Sequence, residues 1–110
     1  MNDKPTMDLH AMQSAAARAC GMLKVLGNPD RLLLLCQLTQ GEFCVSELEA
    51  QLRIQQPTLS QQLGVLREEG LVSTRREGKQ IFYRIESREA TALMQTLYRL
   101  YCQPGKAEAS

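Results

Sequence analysis

The stretch from Pro57 to Gly70 restricts the fold of this chain more than any other. Pro57 suits the first position of a helix, where its missing N–H would have no partner in any case. Gly70 suits the left-handed residue that follows a helix end. Between them, Leu59, Leu63 and Leu66 recur at the spacing of one helix face. The pattern therefore predicts an amphipathic helix whose leucines face a core.

The other face of this predicted helix is uncharged and rich in hydroxyl and amide groups. It consists of Thr58, Ser60, Gln61 and Gln62, with Gln56 just before the helix. A solvated helix face ordinarily carries Glu and Lys, whereas Ser, Thr and Gln can donate and accept hydrogen bonds at base edges in a major groove. A plain polar surface helix is the alternative, and the helix alone does not separate the two.

A second predicted helix precedes this one at short range. Ser46 and Glu49 have the spacing of a capping box, which predicts a helix that starts near Val45. The short segment 53–56 joins it to the glutamine-rich helix. Two short helices so joined, the second with a polar outer face, are typical of a helix-turn-helix.

Beyond Gly70 the hydrophobic period changes to two, which predicts a β-hairpin. The strands are expected at 71–76 and 79–85, with a turn at Glu77-Gly78. Positive charge concentrates there, on Arg75, Arg76, Lys79 and Arg84. Such a wing can reach phosphates or a minor groove, and we expect contacts from Arg76, Lys79 and Gln80. The alternative is a solvated hairpin whose charges prevent edge-to-edge aggregation.

The remaining pattern predicts helices at both ends of the fold and a central one. Apolar stripes mark helices at 8–26 and 87–102, and the helix at 30–40 is apolar nearly all round. One small core cannot cover both end stripes, so we expect a two-fold homodimer through the first and last helices. The predicted fold is mainly α with a small β-hairpin wing, a winged helix-turn-helix at 8–102 between disordered segments 1–7 and 103–110.

Composition limits the location and the chemistry. The chain has 110 residues, a net charge of +1 and four cysteines. No apolar run approaches the roughly 18 residues of a membrane span, and the first residues do not resemble a secretory signal. We therefore expect a cytoplasmic protein with reduced thiols, and no cofactor.

Several motifs together resemble the ArsR/SmtB family of dimeric winged-helix repressors. They are LGNPDRL (26–32), VSEL (45–48), QPTLSQQL (56–63), LREEGLV (66–72) and REGKQIFY (76–83). The resemblance implies a repressor that binds an operator with two-fold symmetry. The chain departs from many relatives at Gln62, where they have His, and at Gly64, where they have a larger residue, which leaves the preferred DNA site open.

Two cysteines resemble the thiol pair of the BigR/SqrR/HlyU branch of that family. They are Cys36, in the central helix, and Cys102, at the end of the last one. The resemblance implies that a Cys36–Cys102 disulfide or polysulfide bridge, formed by sulfane sulfur or oxidants, switches DNA binding. From the residues alone, an inert core thiol flanked by leucines is the favoured interpretation of Cys36.

Two other functions stay open. A metal-responsive repressor could use Cys44 with Cys20 and Cys102, but Cys44-Val45-Ser46 lacks the second thiolate of the family's Cys-Val-Cys site, and the chain has one His. A tetrahedral zinc site needs clustered N or S ligands, so we expect no metal. A small thiol-disulfide enzyme or sulfur carrier is the third reading. The chain has no Cys-x-x-Cys pair, and we expect no enzyme.

Overall fold

A computed structural model of the chain describes residues 8–103. The predicted disordered segment 1–7 and all but the first residue of the predicted disordered segment 103–110 lie outside the described residues. In chain order the elements are α1 (Leu9–Leu26), α2 (Pro29–Leu38), β1 (Phe43–Cys44), α3 (Val45–Leu52), α4 (Thr58–Glu68), β2 (Val72–Glu77), β3 (Gln80–Ile85), α5 (Arg88–Leu97) and a π-helical turn (Tyr98–Cys102). The prediction of a mainly helical winged helix-turn-helix is confirmed.

Short polar side chains start three of the helices. Asp8, Asn28 and Ser87 accept hydrogen bonds from backbone N–H groups three residues ahead, at 2.7, 3.0 and 3.0 Å. Each bond satisfies a donor that the first helical turn leaves free. At its other end α2 stops at Leu38, short of the predicted residue 40, and the Thr39 hydroxyl donates to the Cys36 carbonyl at 2.6 Å.

The predicted Ser46–Glu49 capping box is wrong. The residue before α3 is Cys44, in an extended conformation, and its backbone N–H donates to Oε1 of Glu47 at 2.9 Å. Ser46 already lies inside the helix. Because β1 holds the chain extended up to Cys44, the helix begins directly after the strand.

The end of α4 confirms the role predicted for Gly70. Gly70 has φ +78, its N–H donates to the Arg67 carbonyl at 3.0 Å, and the Leu71 N–H donates to the Leu66 carbonyl at 2.9 Å. This pair of bonds is a Schellman motif, which satisfies carbonyls that the helix end leaves free. At the other end, Pro57 lies just before the first helical residue rather than within the helix.

The wing is a three-stranded antiparallel sheet, not the predicted two-stranded hairpin. Its strand order is β1-β3-β2, with Tyr83 between Phe43 on one side and Thr74 on the other. A strand as short as β1 shows no hydrophobic period, and its partner is distant in sequence, so the pattern could not predict it.

The core lies around α2, which packs against α1, α3, α4 and α5. Its fully buried large side chains are Leu34, Leu35, Leu48, Leu59, Leu63, Leu66 and Met94. Although α2 is apolar nearly all round, it is not buried on every side, because Leu33 is 46% exposed. Within residues 8–103, no helix is both long and apolar enough to cross a membrane.

Candidate functional site

The core leucines determine which side of α4 faces outward. Leu59, Leu63 and Leu66 are fully buried, whereas Ser60, Gln61 and Gly64 are exposed, and we name this second group the outer face of α4. A glycine inside a helix costs about 1 kcal/mol relative to alanine. A Cβ atom built on Gly64 would nevertheless meet nothing within 4 Å, so no packing among residues 8–103 accounts for this glycine.

The residues that flank the outer face differ in exposure. Gln56 is exposed, and its side-chain oxygen accepts the Ser60 backbone N–H at 3.0 Å, which holds the first turn of α4. Thr58 is half-buried. Gln56 thus combines a capping bond with an amide nitrogen that stays available at the surface.

Gln62 is held by a residue that sequence reasoning missed. One terminal nitrogen of the Arg31 guanidinium donates to Oε1 of Gln62 at 2.7 Å, while Nε donates to the Val25 carbonyl at 2.6 Å. Arg31 therefore connects the end of α1 to the middle of α4. That Gln62 contacts DNA remains a prediction, and only its amide nitrogen is free of this bond. No sequence signal pairs Arg31 with Gln62, because the two are far apart in the chain.

Two of the four basic wing residues are neutralised by neighbours. Arg75 forms ion pairs with Glu42 at 2.7 Å and Glu77 at 3.1 Å, and its guanidinium lies 4.8 Å from the centre of the Phe82 ring. Hydrogen bonds to Glu42 and then to Glu77 raise the pKa of Arg75. Arg75, which is not among the predicted DNA contacts, is therefore engaged within the protein.

Arg84 is occupied in the same way. It approaches Glu86 at 3.5 Å and donates to the Ser73 hydroxyl at 3.0 Å. Arg76, Lys79 and Gln80 are all exposed near the tip of the wing. The positive charge available to a partner is thus concentrated at that tip.

Cys36 and Cys102 line one open cavity of about 720 Å³ between α2 and the π-helical turn. Its other lining residues include Leu33, Gln37, Met94, Tyr98 and Arg99. All four cysteines carry free thiols. The fold thus brings the two predicted redox residues to a shared space, although they are far apart in sequence.

The two thiols of this cavity differ in environment. Cys36 is half-buried, whereas Cys102 is exposed. Burial, and secondarily the neighbouring Cys102 thiolate, raise the pKa of the Cys36 thiol. Cys102 is thus the more accessible of the two thiols to a reagent in solution.

The other two cysteines lie elsewhere. Cys20 is exposed on α1, and Cys44 is buried with its Sγ 3.3 Å from the Ser46 hydroxyl. Within residues 8–103, no three His, Cys, Asp or Glu side chains cluster closely enough to hold a metal ion.

Comparison with known proteins identifies the family. Residues 28–74 match the profile of bacterial regulatory proteins of the arsR family. The biofilm growth-associated repressor of Agrobacterium fabrum is 57% identical over 96 residues, which span 87% of this chain and 82% of that protein. The chain belongs to the arsR family. It is a DNA-binding transcriptional regulator, and its relatives are regulators rather than enzymes.

Solved structures of arsR-family proteins share the fold. The repressor BigR from Xylella fastidiosa superposes with a TM-score of 0.81 at 52% identity, covering 88% of this chain and 99% of that one. Reduced HlyU from Vibrio cholerae superposes with a TM-score of 0.82 at 43% identity, covering 86% and 100%. The reading of the chain as a thiol-disulfide enzyme is therefore wrong.

Proposed function

We propose that this arsR-family protein is a homodimeric repressor whose DNA binding is switched by a bond between Cys36 and Cys102. The observation that carries the proposal is the shared cavity, which both thiols line. In the reduced state the dimer binds an operator with two-fold symmetry. A sulfur bridge then releases it.

The proposed DNA contacts lie on the outer face of α4 and at the wing tip. Ser60, Gln61 and the amide of Gln56 meet base edges or flanking phosphates, with Thr58 and Gln62 at the margin of this surface. Arg76, Lys79 and Gln80 meet the backbone or a minor groove. Exposure supports the assignment, since groove contacts require side chains free of the core.

The proposed dimer forms through α1 and the end of α5. α1 has 18 residues, yet only Val25 and Leu26 are buried in the single chain. A mostly apolar groove of about 610 Å³ between α1 and α5 is lined by Ala19, Met22, Leu23 and Leu93, among others. Tyr98, Leu100 and Tyr101 are also at least half exposed. An apolar surface of this extent favours burial against a second copy.

The proposed switch consists of two thiol exchanges. The Cys102 thiolate attacks the outer sulfur of a donor R–S–SH, which forms Cys102–S–SH and releases the thiolate RS⁻. The Cys36 thiolate then attacks the inner sulfur of Cys102–S–SH, which forms the disulfide and releases HS⁻. If a second donor first converts Cys36 to a persulfide, the two persulfides join as a trisulfide and release H₂S. Peroxide would instead oxidise Cys102 to a sulfenic acid, and Cys36 would displace hydroxide.

The bridge would act by changing the relative positions of the helices. It ties α2 to the π-helical turn that continues α5, and α2 also packs against α4. A shift of α5 relative to α2 would move the dimer interface relative to the two α4 helices. Binding to two half-sites requires a defined separation of these helices, so a small shift lowers affinity.

The test begins with a duplex that the reduced protein selects from a random-sequence pool. Affinity for that duplex is measured by fluorescence anisotropy before and after treatment with inorganic polysulfide, hydrogen peroxide or zinc. We expect polysulfide or peroxide to release wild-type protein, and mass spectrometry to find a bridge between the Cys36 and Cys102 peptides. The mass of that bridge distinguishes a disulfide from a chain of additional sulfur atoms.

Single serine variants provide the control. Cys36→Ser and Cys102→Ser should bind the duplex when reduced and should stay bound after treatment. Cys20→Ser, at an exposed thiol outside the cavity, should behave like wild type. Normal release of Cys36→Ser would refute the switch, and release by zinc alone would favour the metal-responsive alternative.

A further inference from the structure

The cavity shared by Cys36 and Cys102 is larger than two thiols need. Its volume of about 720 Å³ is within the range of clefts that hold small organic molecules. The cavity is open, and Cys102, which lines it, is exposed. There is therefore room for the organic part of a sulfur donor beside the thiol that the donor reaches first.

The charge of the cavity indicates which donors it favours. Among its described lining residues, Arg99 is the only one of the basic and acidic types Lys, Arg, Asp and Glu. Arg99 forms no ion pair within residues 8–103, and its guanidinium approaches the Thr96 hydroxyl at 3.5 Å. It differs in this from Arg75 and Arg84, which are paired with carboxylates. An unpaired guanidinium attracts an anion, and its planar geometry matches that of a carboxylate.

The uncharged lining suits the rest of an organic donor. Thr39, Gln95 and Gln103 supply hydroxyl and amide groups, which can both donate and accept hydrogen bonds. Leu33 and Met94 add apolar surface. Apolar walls with a few polar groups and one charge are the usual composition of a site that orients a small molecule.

We propose that the cavity binds organic persulfides that carry a carboxylate, and that Arg99 selects them. The guanidinium pairs with the carboxylate and directs the outer sulfur of R–S–SH towards Sγ of Cys102. The Cys102 thiolate forms a bond to that sulfur, the S–S bond of the donor breaks, and RS⁻ leaves with the electron pair and the carboxylate. This inference rests on the proposed switch and adds Arg99 as a specificity-determining residue that takes no part in the sulfur exchange.

The first test compares two alkylating agents of similar size, the anion iodoacetate and the neutral iodoacetamide. Both consume the same thiolate, so the ratio of their rates at Cys102 reports the charge near the thiol and not the fraction of thiolate. In Arg99→Gln this ratio should fall about threefold, the factor expected when one unit charge at roughly 6 Å in water is removed. Arg99→Lys keeps the charge and should retain most of the ratio. Peptide mass mapping of the full-length protein measures each rate.

The second test compares the persulfide of N-acetylcysteine with the persulfide of its neutral amide, which lacks the carboxylate. Sulfur transfer is followed in Cys36→Ser, which cannot close the bridge, as the gain of one sulfur atom by the Cys102 peptide. With Arg99 present, the ratio of the carboxylate donor's rate to the amide donor's rate should be about threefold higher than with Arg99→Gln.

A matched substitution provides the control. Arg88→Gln removes the same charge from an exposed arginine of α5 that does not line the cavity, so both rate ratios should equal those of wild type. The exposed Cys20, on α1, is a control within the same protein, and its alkylation ratio should not change in Arg99→Gln.

The outcomes separate the inference from the proposed function. If no persulfide produces a Cys36–Cys102 bridge in wild-type protein, the proposed switch is wrong and the inference falls with it. If wild type forms the bridge and Arg99→Gln keeps both rate ratios, the inference alone is wrong. Equal losses in Arg99→Gln and Arg88→Gln would also overturn it, because the net charge of the protein would then account for the preference.

Discussion

At the scale of single residues, the polar groups near α4 divide into those that hold the helix and those that face outward. Gln56 caps its first turn, and Arg31 bridges α4 and α1 by donating to both the Gln62 side chain and the Val25 carbonyl. Ser60 and Gln61 make no such side-chain bond among residues 8–103 and are exposed. Under the proposed function, recognition would therefore be concentrated on fewer side chains than the polar pattern suggests.

The Arg31–Gln62 bond predicts a measurable energetic coupling. In a double-mutant cycle of Arg31→Ala and Gln62→Ala, followed by urea unfolding at one protomer concentration, we expect a coupling of about 1 kcal/mol or more. Arg31→Ala alone should cost more than Gln62→Ala because it also frees the Val25 carbonyl. The control cycle combines Arg31→Ala with Gln61→Ala, at an exposed residue, and should show no coupling. Equal couplings in the two cycles would contradict the Arg31–Gln62 bond.

The environment of Cys36 predicts an alkylation profile shifted to higher pH. Burial first, and Cys102 second, raise the pKa of the Cys36 thiol, so its folded form retains the proton at pH values where an unfolded thiol loses it. This contribution to stability is complete below the unfolded pKa and declines as pH rises through the folded pKa. Iodoacetamide labelling, read by peptide mass mapping, should show a higher midpoint for Cys36 in the folded chain than in urea.

Cys102→Ser distinguishes the two causes. It removes the smaller one, so the Cys36 midpoint should fall part of the way towards the value in urea. A complete return would mean that burial contributes nothing.

At the scale of elements, the wing contributes less charge than its sequence suggests. Glu42 lies before β1, and β1 exists only because it pairs with β3, so the ion pair with Arg75 depends on the third strand. Arg75 and Arg84 are each paired with a carboxylate, while Arg76 and Lys79 form no ion pair among residues 8–103. Exposed ion pairs of this kind add little stability.

The difference between the paired arginines and the residues of the wing tip predicts that DNA affinity depends differently on salt in two alanine variants. Lys79→Ala should weaken binding to the selected duplex and lower the slope of log affinity against log salt by about one. Arg75→Ala should leave that slope unchanged, because its guanidinium is already paired with carboxylates. Anisotropy titrations at several salt concentrations would measure both. A wild-type affinity independent of salt would contradict any role for the wing cations.

At the scale of the whole molecule, the single chain is elongated and leaves apolar surface exposed. Its radius of gyration is 16.8 Å, above the roughly 13 Å of a compact domain of this length. Most of α1 lies outside the core, and Leu9, Met12 and Leu23 are at least half exposed. An exposed apolar surface of this kind is expected of a domain that a second copy of the chain completes.

A charge placed in the groove between α1 and α5 should dissociate the proposed dimer. Leu23 lines the groove and is 59% exposed in the single chain, so Leu23→Glu should leave the monomer folded while it prevents close packing of two copies. Sedimentation should show a monomer, and affinity for the selected duplex should fall steeply because only one half-site is bound. Gln13→Glu adds the same charge to α1 at an exposed residue that does not line the groove, and it should remain dimeric. A dimer with Leu23→Glu would place the interface elsewhere.

Interactions between residues close together in the chain were readable from the pattern of residues. The leucine spacing of α4 and its glycine terminus depend on local geometry, and both have the position expected. The hairpin is also present, with its turn at Gly78-Lys79, one residue beyond the predicted Glu77-Gly78. The misplaced α3 cap is instructive, because Ser46 and Glu49 have a valid local spacing. A strand pairing with distant residues decided where that helix starts.

Contacts between distant residues needed the folded chain. Hydrophobic and polar periodicity determines which side of a helix is buried, but it carries no information about which distant side chain lies opposite. Packing against α2 therefore decided the Arg31–Gln62 bond and the cavity shared by Cys36 and Cys102, and the pairing of β1 with β3 decided the ion pair of Glu42 with Arg75. The glutamine-rich helix can be identified from residues 54–70 alone, whereas what holds it, and what is left free to meet DNA, depends on tertiary structure.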